Sequence, residues 1–564
     1  MSGASPPPHR IRSLRQDAQA GVVLGVQSVP DGLATGLLAG LSPLNGLYAY
    51  MVGTLAGAVV TSSAFMVVQG TGAMAMVMAD VPALHGGEDQ ARAVATLALL
   101  TGAVMLVAGA LKLGTLLRFV SNAVLVGFMN AVGVNIVLGQ LANLTGYAAP
   151  GGNRVARTLN TLLSPASLDW RSVVVGLSTV ALIVALERTR LGSMGLVVAV
   201  IATSALAALL GWTGVATLQD LGVSVQGLPP VTLPSLALVP QLLVPAASLA
   251  FVGLVQGAGI SAVYGTADGG RANVSRDFLG QGVANVACAV TGGMPVGGSA
   301  SASAINAAAG ARTRRAPMIA ALVMAVVVLL FGSAVGHLAM PALAGLLILV
   351  GVRTIKPGDI QSVWKAGLVQ KVVLVVTFTL TMVVPLQYAV LVGVGVSVVL
   401  HVVMQSNQVR IRQRVMSASG HVIEVDPVAV VPPGEVVVLQ PYGSLFFASA
   451  PVFEEALPRV DADSRRSVVI VRLRGHVDLG TTFIDVLARY AASLAEAGSR
   501  LVVVSVDSRV MNQLEAGGVM DIIGPDGAFV GDKRVGAAVG KAVAAAQEWI
   551  DHAERGEPGS PTVP

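Results

Sequence analysis

The run PVGGSASAS at residues 295–303 decides the fold, because it places a glycine-rich, extended segment directly before a short apolar helix. A second run, VVQGTGA at residues 67–73, has the same arrangement in the first half of the chain. Neither helix is long enough to cross a bilayer by itself. Such half-helices, one in each half, predict a transporter built from inverted repeats with its substrate site near the membrane midplane. Close packing of small residues explains either run alone, but it explains the pair much less well.

The composition is typical of a membrane protein. Of the 564 residues, 54% are hydrophobic and 12% are charged, and the mean hydropathy of +0.75 is far above that of a soluble globular chain. Apolar stretches such as 316–335 are continuous rather than alternating, which excludes a β-barrel and predicts spanning helices. The single cysteine, Cys288, is interpreted as a packing residue, so neither a disulfide framework nor a metal site is predicted. The sequence has no Walker loop and no enzyme constellation, so we predict neither ATP-driven transport nor catalysis, and no cofactor.

Hydropathy and the spacing of glycine and proline predict about fourteen spans. They lie near residues 17–40, 43–62, 70–84, 91–111, 119–141, 171–187, 194–211, 245–264, 277–293, 299–310, 316–336, 341–355, 369–384 and 386–404. Basic residues precede span one and follow spans four, six, ten and twelve, which predicts cytoplasmic N- and C-termini in the cell membrane. Arg154 and Arg157 are the exception, because this topology places their loop outside.

The composition changes after residue 414 to short strands and amphipathic helices. Strands are predicted at 436–439, 468–472 and 501–505, and helices at 482–497 and 535–550. The predicted organisation is a cytoplasmic tail at 1–16, a transmembrane domain at 17–408, a linker at 409–432, a cytoplasmic α/β domain at 433–552 and a disordered tail at 553–564. The basic run at 410–414 is interpreted as a juxtamembrane segment that touches anionic headgroups of the lipid bilayer.

The N-termini of the two half-helices are predicted to bind a small inorganic or organic anion. Unpaired backbone N–H groups and the positive ends of two helix dipoles would face each other there, so no cationic side chain is needed. Glycine permits close approach of the backbone, and serine or threonine adds hydroxyl donors. The predicted substrate contacts are Ser28, Gly70, Thr71, Gln256, Ser299, Ala300, Ser301 and Ser303.

Asp31 is predicted to be the ionisable group that couples transport to H⁺ or Na⁺. It follows Pro30 inside the first span, where a helix interruption would open backbone groups to a cavity. A carboxylate at a helix centre costs about 2.5–3.5 kcal/mol unless it faces a polar cavity or a partner. The alternative is an interfacial residue, if the first span begins later. Gln256 cannot titrate, and a hydrogen bond between helices explains it about as well as substrate contact does.

Several further motifs carry a family resemblance over nearly the whole chain. They are DAQAG at 17–21, LAGLSPLNGLY at 38–48, GQGVAN at 280–285, GGMPVGG at 292–298, Asn306, and GART at 310–313. In this combination the chain resembles the sulfate permease (SulP) family of anion transporters, whose eukaryotic members include chloride/bicarbonate exchangers and prestin. The resemblance implies an α-helical polytopic bundle of seven plus seven inverted spans, with a core from spans one to four and eight to eleven and a gate from the others. It also implies a C-terminal α/β STAS domain and a homodimer.

The chain departs from this family pattern at three positions of the transport domain. Many members have an acidic residue where this chain has Gln256, glutamine where it has Asp31, and arginine where it has Ala302. In the STAS-like domain, the phosphorylatable loop of relatives is matched only loosely by residues 478–481, which contain no serine.

The predicted function is secondary active transport of sulfate, bicarbonate, chloride or a small carboxylate by elevator-type alternating access. One alternative is a nucleobase–cation symporter, because nucleobase permeases share the half-helix architecture. Another is a membrane-anchored signalling or scaffold protein in which the STAS-like domain recruits a partner. No nucleic-acid partner is predicted.

Overall fold

The computed structural model divides the chain into two units, Met1–Ser397 and Val398–Pro564, which are described separately. It describes residues 8–85, 89–114, 121–151, 153–221, 229–266, 269–406, 409–416, 421–476, 478–531, 534 and 536–555. The start of the predicted helix at Val535, most of the predicted C-terminal tail and the first seven residues of the N-terminal tail lie outside these ranges.

The first unit is a bundle of helices, and the last of them continues past the boundary at Ser397. They are α1 (Pro8–Leu38), α2 (Pro43–Val60), α3 (Gly72–Met78), α4 (Gln90–Ala110), α5 (Asn122–Gly139), α6 (Leu141–Thr145), α7 (Arg154–Leu163), α8 (Trp170–Glu187), α9 (Gly195–Leu209), α10 (Val239–Val263), α11 (Val274–Val290), α12 (Ala300–Ala308), α13 (Arg315–Gly336), α14 (Met340–Thr354), α15 (Pro357–Ala366), α16 (Leu368–Val383) and α17 (Leu386–Ser406). Within the described residues, nine helical segments are long and apolar enough to cross a membrane. The shorter α3, α11, α12 and α16, together with α17, bring the total to the predicted fourteen.

The packing of the helices repeats between the two halves of the chain. Helix α1 packs on α13 as α10 packs on α4, and α5 packs on α16 as α14 packs on α8. Two short strands, β1 (Val68–Gln69) and β2 (Gly297–Gly298), precede the half-helices α3 and α12 and pair antiparallel. We call α1–α4 with α10–α13 the core helices and α5–α9 with α14–α17 the gate helices. The arrangement confirms the predicted inverted repeat.

Helix α1 does not break at Pro30, so the predicted interruption of the first span is wrong. The helix is continuous from Pro8 to Leu38. A proline inside a helix removes one backbone hydrogen bond, and membrane helices tolerate this loss where neighbouring groups compensate. One turn further on, the hydroxyl of Thr35 donates to the carbonyl of Asp31 at 2.7 Å. Asp31 therefore sits on an intact helix and not at an open backbone.

The second unit is a six-stranded sheet with helices on both faces. Its elements are β3 (Arg410–Met416), β4 (Val422–Val425), β5 (Val436–Tyr442), α18 (Ala450–Ala456), β6 (Val468–Arg472), α19 (Thr481–Glu496), β7 (Arg500–Val506), α20 (Ser508–Ala516), α21 (Val519–Ile523), β8 (Ala528–Val530) and α22 (Ala537–Arg555). The strand order is β4-β3-β5-β6-β7-β8, with β5 to β8 parallel and β3 antiparallel to both of its neighbours. Helix α19 packs on one face of the sheet and α22 on the other. Residues 409–432, predicted as a linker, thus contain two strands of this sheet.

Candidate functional site

The two crossing segments, residues 67–70 and 296–299, form the centre of the site. Extended backbone inside a membrane needs hydrogen-bond partners, and side chains of the core helices provide them. Ser303 accepts a bond from Val67 N at 3.0 Å, and Thr54 donates to Val68 O at 3.3 Å. On the other segment, Asn285 bonds to both the N–H and the carbonyl of Val296 at 2.9 and 2.7 Å. The crossing is therefore held in place by polar groups of α2, α11 and α12.

Helix α10 approaches the second crossing segment backbone to backbone. A Cβ atom added at Gly298 would lie 2.8 Å from the Cα of Gly257, and one at Gly297 would lie 2.8 Å from the Cα of Gly253. Gln281 of α11 accepts a hydrogen bond from Gly298 N at 3.0 Å. Glycine is required here because two main chains touch, and the contact places the next turns of α10 beside the start of α12.

Each half-helix begins at a residue that caps it through a side-chain oxygen. The hydroxyl of Thr71 accepts a hydrogen bond from Met74 N, and that of Ser299 accepts one from Ala302 N, both at 3.3 Å. Because each hydroxyl accepts in the cap, its own hydrogen is free to point elsewhere. Thr71 and Ser299 are buried, whereas Ala300 and Ser301 are exposed at the start of α12. The hydroxyls of Ser299 and Ser301 lie 3.3 Å apart. Of the predicted contacts, these four residues flank the two helix starts.

The polar side of α1 lines the first crossing segment. Ser28 accepts a hydrogen bond from the side-chain amide of Gln69 at 3.0 Å. One turn along, the hydroxyl of the buried Tyr50 lies 3.0 Å from the carboxylate of Asp31 and 2.9 Å from the carbonyl of Gly70. This hydroxyl joins Asp31 to the residue that precedes Thr71. Asp31 is half-buried, and its carboxylate is bonded to Tyr50 of the core helix α2.

Three glutamine side chains near the crossing have an oxygen without a partner. In the described part of the chain, the buried Oε1 atoms of Gln27, Gln69 and Gln256 accept no hydrogen bond. Gln27 and Gln69 are buried, and Gln256 is half-buried between Gly253 and Gly257 on α10. Unsatisfied buried polar groups are rare in folded proteins and often mark a ligand or water site. The sequence analysis missed Gln27 and Gln69, although Gln27 lies four residues before Asp31 and hence on the same helix face.

An ion pair joins the core to the gate at the end of the bundle where α1 ends. Asp80, just after α3, bonds to Arg154 at the start of α7 at 2.6 and 3.4 Å. The same carboxylate accepts a bond from Leu386 N, at the start of α17, at 2.9 Å. Both side chains are mostly buried, with exposed fractions of 18% for Arg154 and 17% for Asp80. The pair lines a cavity of about 510 Å³. Arg154, one of the two exceptions in the predicted charge distribution, is therefore neutralised by a partner that the sequence analysis missed.

The described residues contain no group of three or more His, Cys, Asp or Glu side chains that could hold a metal ion. Cys288 is buried and forms no disulfide. The residues brought together at the crossing are hydroxyls, amides, backbone groups and one carboxylate. Such groups can bind a desolvated anion and hold a proton or a monovalent cation beside it.

Comparisons with known proteins agree with this architecture. The sulfate permease family model matches residues 14–379, and the STAS domain model matches residues 427–537. A probable sulfate transporter of Mycobacterium tuberculosis strain CDC 1551 is 28% identical over 92% of this chain and 94% of its own length. The bicarbonate transporter BicA of a Picosynechococcus species is 28% identical over 70% of this chain and 71% of its own length. The inward-facing structure of the murine Solute Carrier 26 family member A9 anion transporter matches with a TM-score of 0.82 at 18% identity, covering 97% of this chain and 96% of that one.

Proposed function

The chain belongs to the sulfate permease family of anion transporters, and we propose that it carries a small anion across the cell membrane by an elevator-type movement. The observation that supports this function is the crossing of two buried half-helix starts. The capping hydroxyl of Thr71 keeps its hydrogen free to donate, and the bonded pair of Ser299 and Ser301 hydroxyls keeps one hydrogen free between them. Sulfate and bicarbonate are the first candidates, because relatives at 28% identity carry these names. Chloride and small carboxylates fit the same donor set.

The anion would lie between the starts of α3 and α12. Backbone N–H groups and the hydroxyls of Thr71, Ser299 and Ser301 would donate to it, as at other anion sites on helix N-termini. Ser303 has a supporting role in this proposal, because its oxygen already accepts from Val67 N. Gln256 would face the anion with its amide group, since it lies on the α10 turn packed against β2.

Asp31 would couple the anion to a cation. Its carboxylate reaches the start of α3 through Tyr50, so its charge state acts on the site through one hydroxyl. A protonated Asp31 would relieve repulsion of the anion, and an ionised Asp31 could hold Na⁺. Either route gives symport of the anion with a cation. Gln256 cannot replace Asp31 in this role, because its side chain is neutral.

The Asp80–Arg154 pair would close the outer end of the pathway. It links the half-helix α3 of the core to α7 of the gate, so the core cannot slide outward without breaking it. The C-terminal unit would tune transport rate or assembly, because the anion site is built entirely from residues of the first unit.

Uptake by the purified protein in proteoliposomes tests this function. Replacing the exposed Ser301 by leucine should reduce uptake of labelled sulfate or bicarbonate at least about tenfold, because the bulky side chain fills the space beside the start of α12. The matched control is Ser178→Leu, since Ser178 is also an exposed serine and lies on the gate helix α8. Unchanged uptake kinetics in the Ser301 variant would contradict the placement of the site. If the unmodified protein transports none of the tested anions and none of the tested nucleobases, a scaffold function would be favoured instead.

A further inference from the structure

Five arginines gather on one surface of the C-terminal unit. Arg410, Arg412 and Arg414 alternate along β3, so their side chains share one face of the sheet. Arg412 lies opposite Gln440 of β5, which in turn bonds to Arg472 of β6 at 2.6 Å. Arg474 follows two residues later in the chain. We call these five residues the arginine face. It draws on two strands, β3 and β6, that are far apart in the sequence.

The arginine face has more positive charge than its neighbours neutralise. Two carboxylates lie beside it on the β4 side: Asp426 pairs with Arg412, and Glu424 lies 3.9 Å from Arg414. The hydroxyl of Tyr442 also donates to Glu424 at 2.6 Å. Five guanidinium groups against two carboxylates leave an excess of three positive charges. On a folded surface this excess costs free energy unless an anion binds there.

Two of the guanidinium groups have a donor without an acceptor at hydrogen-bond distance, although the Nε of Arg414 lies 3.9 Å from Glu424. Within the described residues, the Nε–H groups of Arg414 and Arg472 are buried and have no hydrogen-bond partner. The neutral amide oxygen of Gln440 is a partner of Arg472 on the sheet. Burial lowers the pKa of Arg472, and the nearby charges of Arg414 and Arg474 lower it further. Arginine prefers to satisfy its planar fork of donors with a carboxylate or a phosphate.

The start of β3 is close to the membrane by chain length alone. Arg410 lies four residues beyond Ser406, the last residue of the final apolar helix α17. Four extended residues reach no more than about 14 Å. The anions available at that distance from a bilayer in high local concentration are the phosphates of lipid headgroups.

We propose that the arginine face is a binding site for the phosphate of an anionic lipid headgroup. The phosphate oxygens accept from the Nε–H groups of Arg414 and Arg472, while Arg410 adds long-range attraction. Binding anchors this edge of the sheet to the bilayer surface. It also ties the stability of the C-terminal unit to the lipid composition of the membrane.

The proposal is tested on the detergent-solubilised full chain with short-chain lipids. Dioctanoyl phosphatidylglycerol should raise the melting temperature of the C-terminal transition in a saturable manner, and dioctanoyl phosphatidylcholine should not. Arg414→Gln and Arg472→Gln should each raise the apparent Kd for phosphatidylglycerol about tenfold, because each removes a charged donor pair. The control is Arg489→Gln, which removes the same charge from α19, where Arg489 pairs with Glu454. Its Kd should stay within about twofold of the parent value.

Three results would overturn the proposal. Equal affinity of the parent, Arg414→Gln and Arg472→Gln proteins for phosphatidylglycerol would show that the arginine face is not the site. Equal stabilisation by phosphatidylcholine would show that the acyl chains alone bind. Equal stabilisation by inorganic phosphate at the same concentration would show that a soluble anion is the ligand and not a lipid. Because the Arg472 variant could fold poorly, the more exposed Arg410→Gln variant provides an independent measurement, and it should also weaken binding.

Discussion

Breaking the Asp80–Arg154 ion pair should open the transporter at the end of the bundle where α1 ends. Replacing Arg154 by glutamine removes the positive charge but keeps a hydrogen-bonding side chain of similar length. At about 4 Å and an effective dielectric constant near 20, two unit charges attract by about 4 kcal/mol. Both side chains are more than four-fifths buried, so the lost hydration offsets part of this attraction. We therefore expect a net coupling free energy of about 2 kcal/mol for the Asp80–Arg154 pair, which lies between the values typical of exposed and of buried ion pairs.

A coupling of about 2 kcal/mol corresponds to a factor of about 30 in the ratio of open to closed molecules. The shift towards open molecules is smaller if Asp80 keeps its hydrogen bond from Leu386 N, because this bond also holds the core to the gate. Asp80→Asn and the double variant complete a thermodynamic cycle that isolates the pair. Arg157→Gln is the control, because Arg157 lines the same cavity but is exposed. It changes the charge of the cavity without touching the pair.

Cysteine labelling measures the opening directly, because Cys288 is the only cysteine of the chain and is buried. Met76 is buried and lines the cavity beside the pair, so Met76→Cys provides the reporter. A membrane-impermeant maleimide should label it about tenfold or more faster when Arg154→Gln is added, and at an unchanged rate with Arg157→Gln. If both additions give the same rate, the pair does not control access to this cavity. A charge swap, Asp80→Arg with Arg154→Asp, should restore slow labelling.

Three further predictions concern other parts of the molecule. Asp31→Asn should abolish anion accumulation driven by a pH or Na⁺ gradient but keep counterflow exchange; accumulation that persists would assign coupling to another residue. Gly298→Ala should lower the melting temperature and the uptake rate, because its new Cβ would lie 2.8 Å from the Cα of Gly257. The control is Gly259→Ala, which has open space around its Cβ position and should change neither quantity. Burial lowers the pKa of His476, so the folded state binds fewer protons than the unfolded state. The free energy of unfolding of the C-terminal unit should therefore be highest above about pH 6.5 and decline at lower pH. Calorimetry of His476→Gln should show a melting temperature that depends less on pH than that of the parent protein.

The half-helices could be predicted from the sequence because their signal is local. A glycine-rich extended run before a short apolar helix is readable within about ten residues, and it occurs in both halves. The Asp80–Arg154 pair could not be predicted in this way, because its partners are 74 positions apart and meet only through packing of the core on the gate. Strand β3 was readable in principle, since Arg410, Arg412 and Arg414 alternate with other residues at period two. Their charge instead favoured the interpretation as a juxtamembrane basic run that touches lipid headgroups.

The hydrogen bonds of the crossing indicate which parts can move together. The side chains that bond to the two crossing segments come from α1, α2, α11 and α12, all of them core helices. Helix α10, also of the core, packs its backbone on Gly297 and Gly298. A displacement of the whole core therefore leaves these bonds intact and carries the anion site with it. Contacts with the gate include apolar packing, as of Ile136 on Gly72, which can slide. They also include polar contacts that must break: the Asp80–Arg154 pair, the bond from Leu386 N to Asp80, and the bond from the Ser248 hydroxyl to the carbonyl of Gln387. The chemistry of the contacts thus favours movement of the core as one body against the gate.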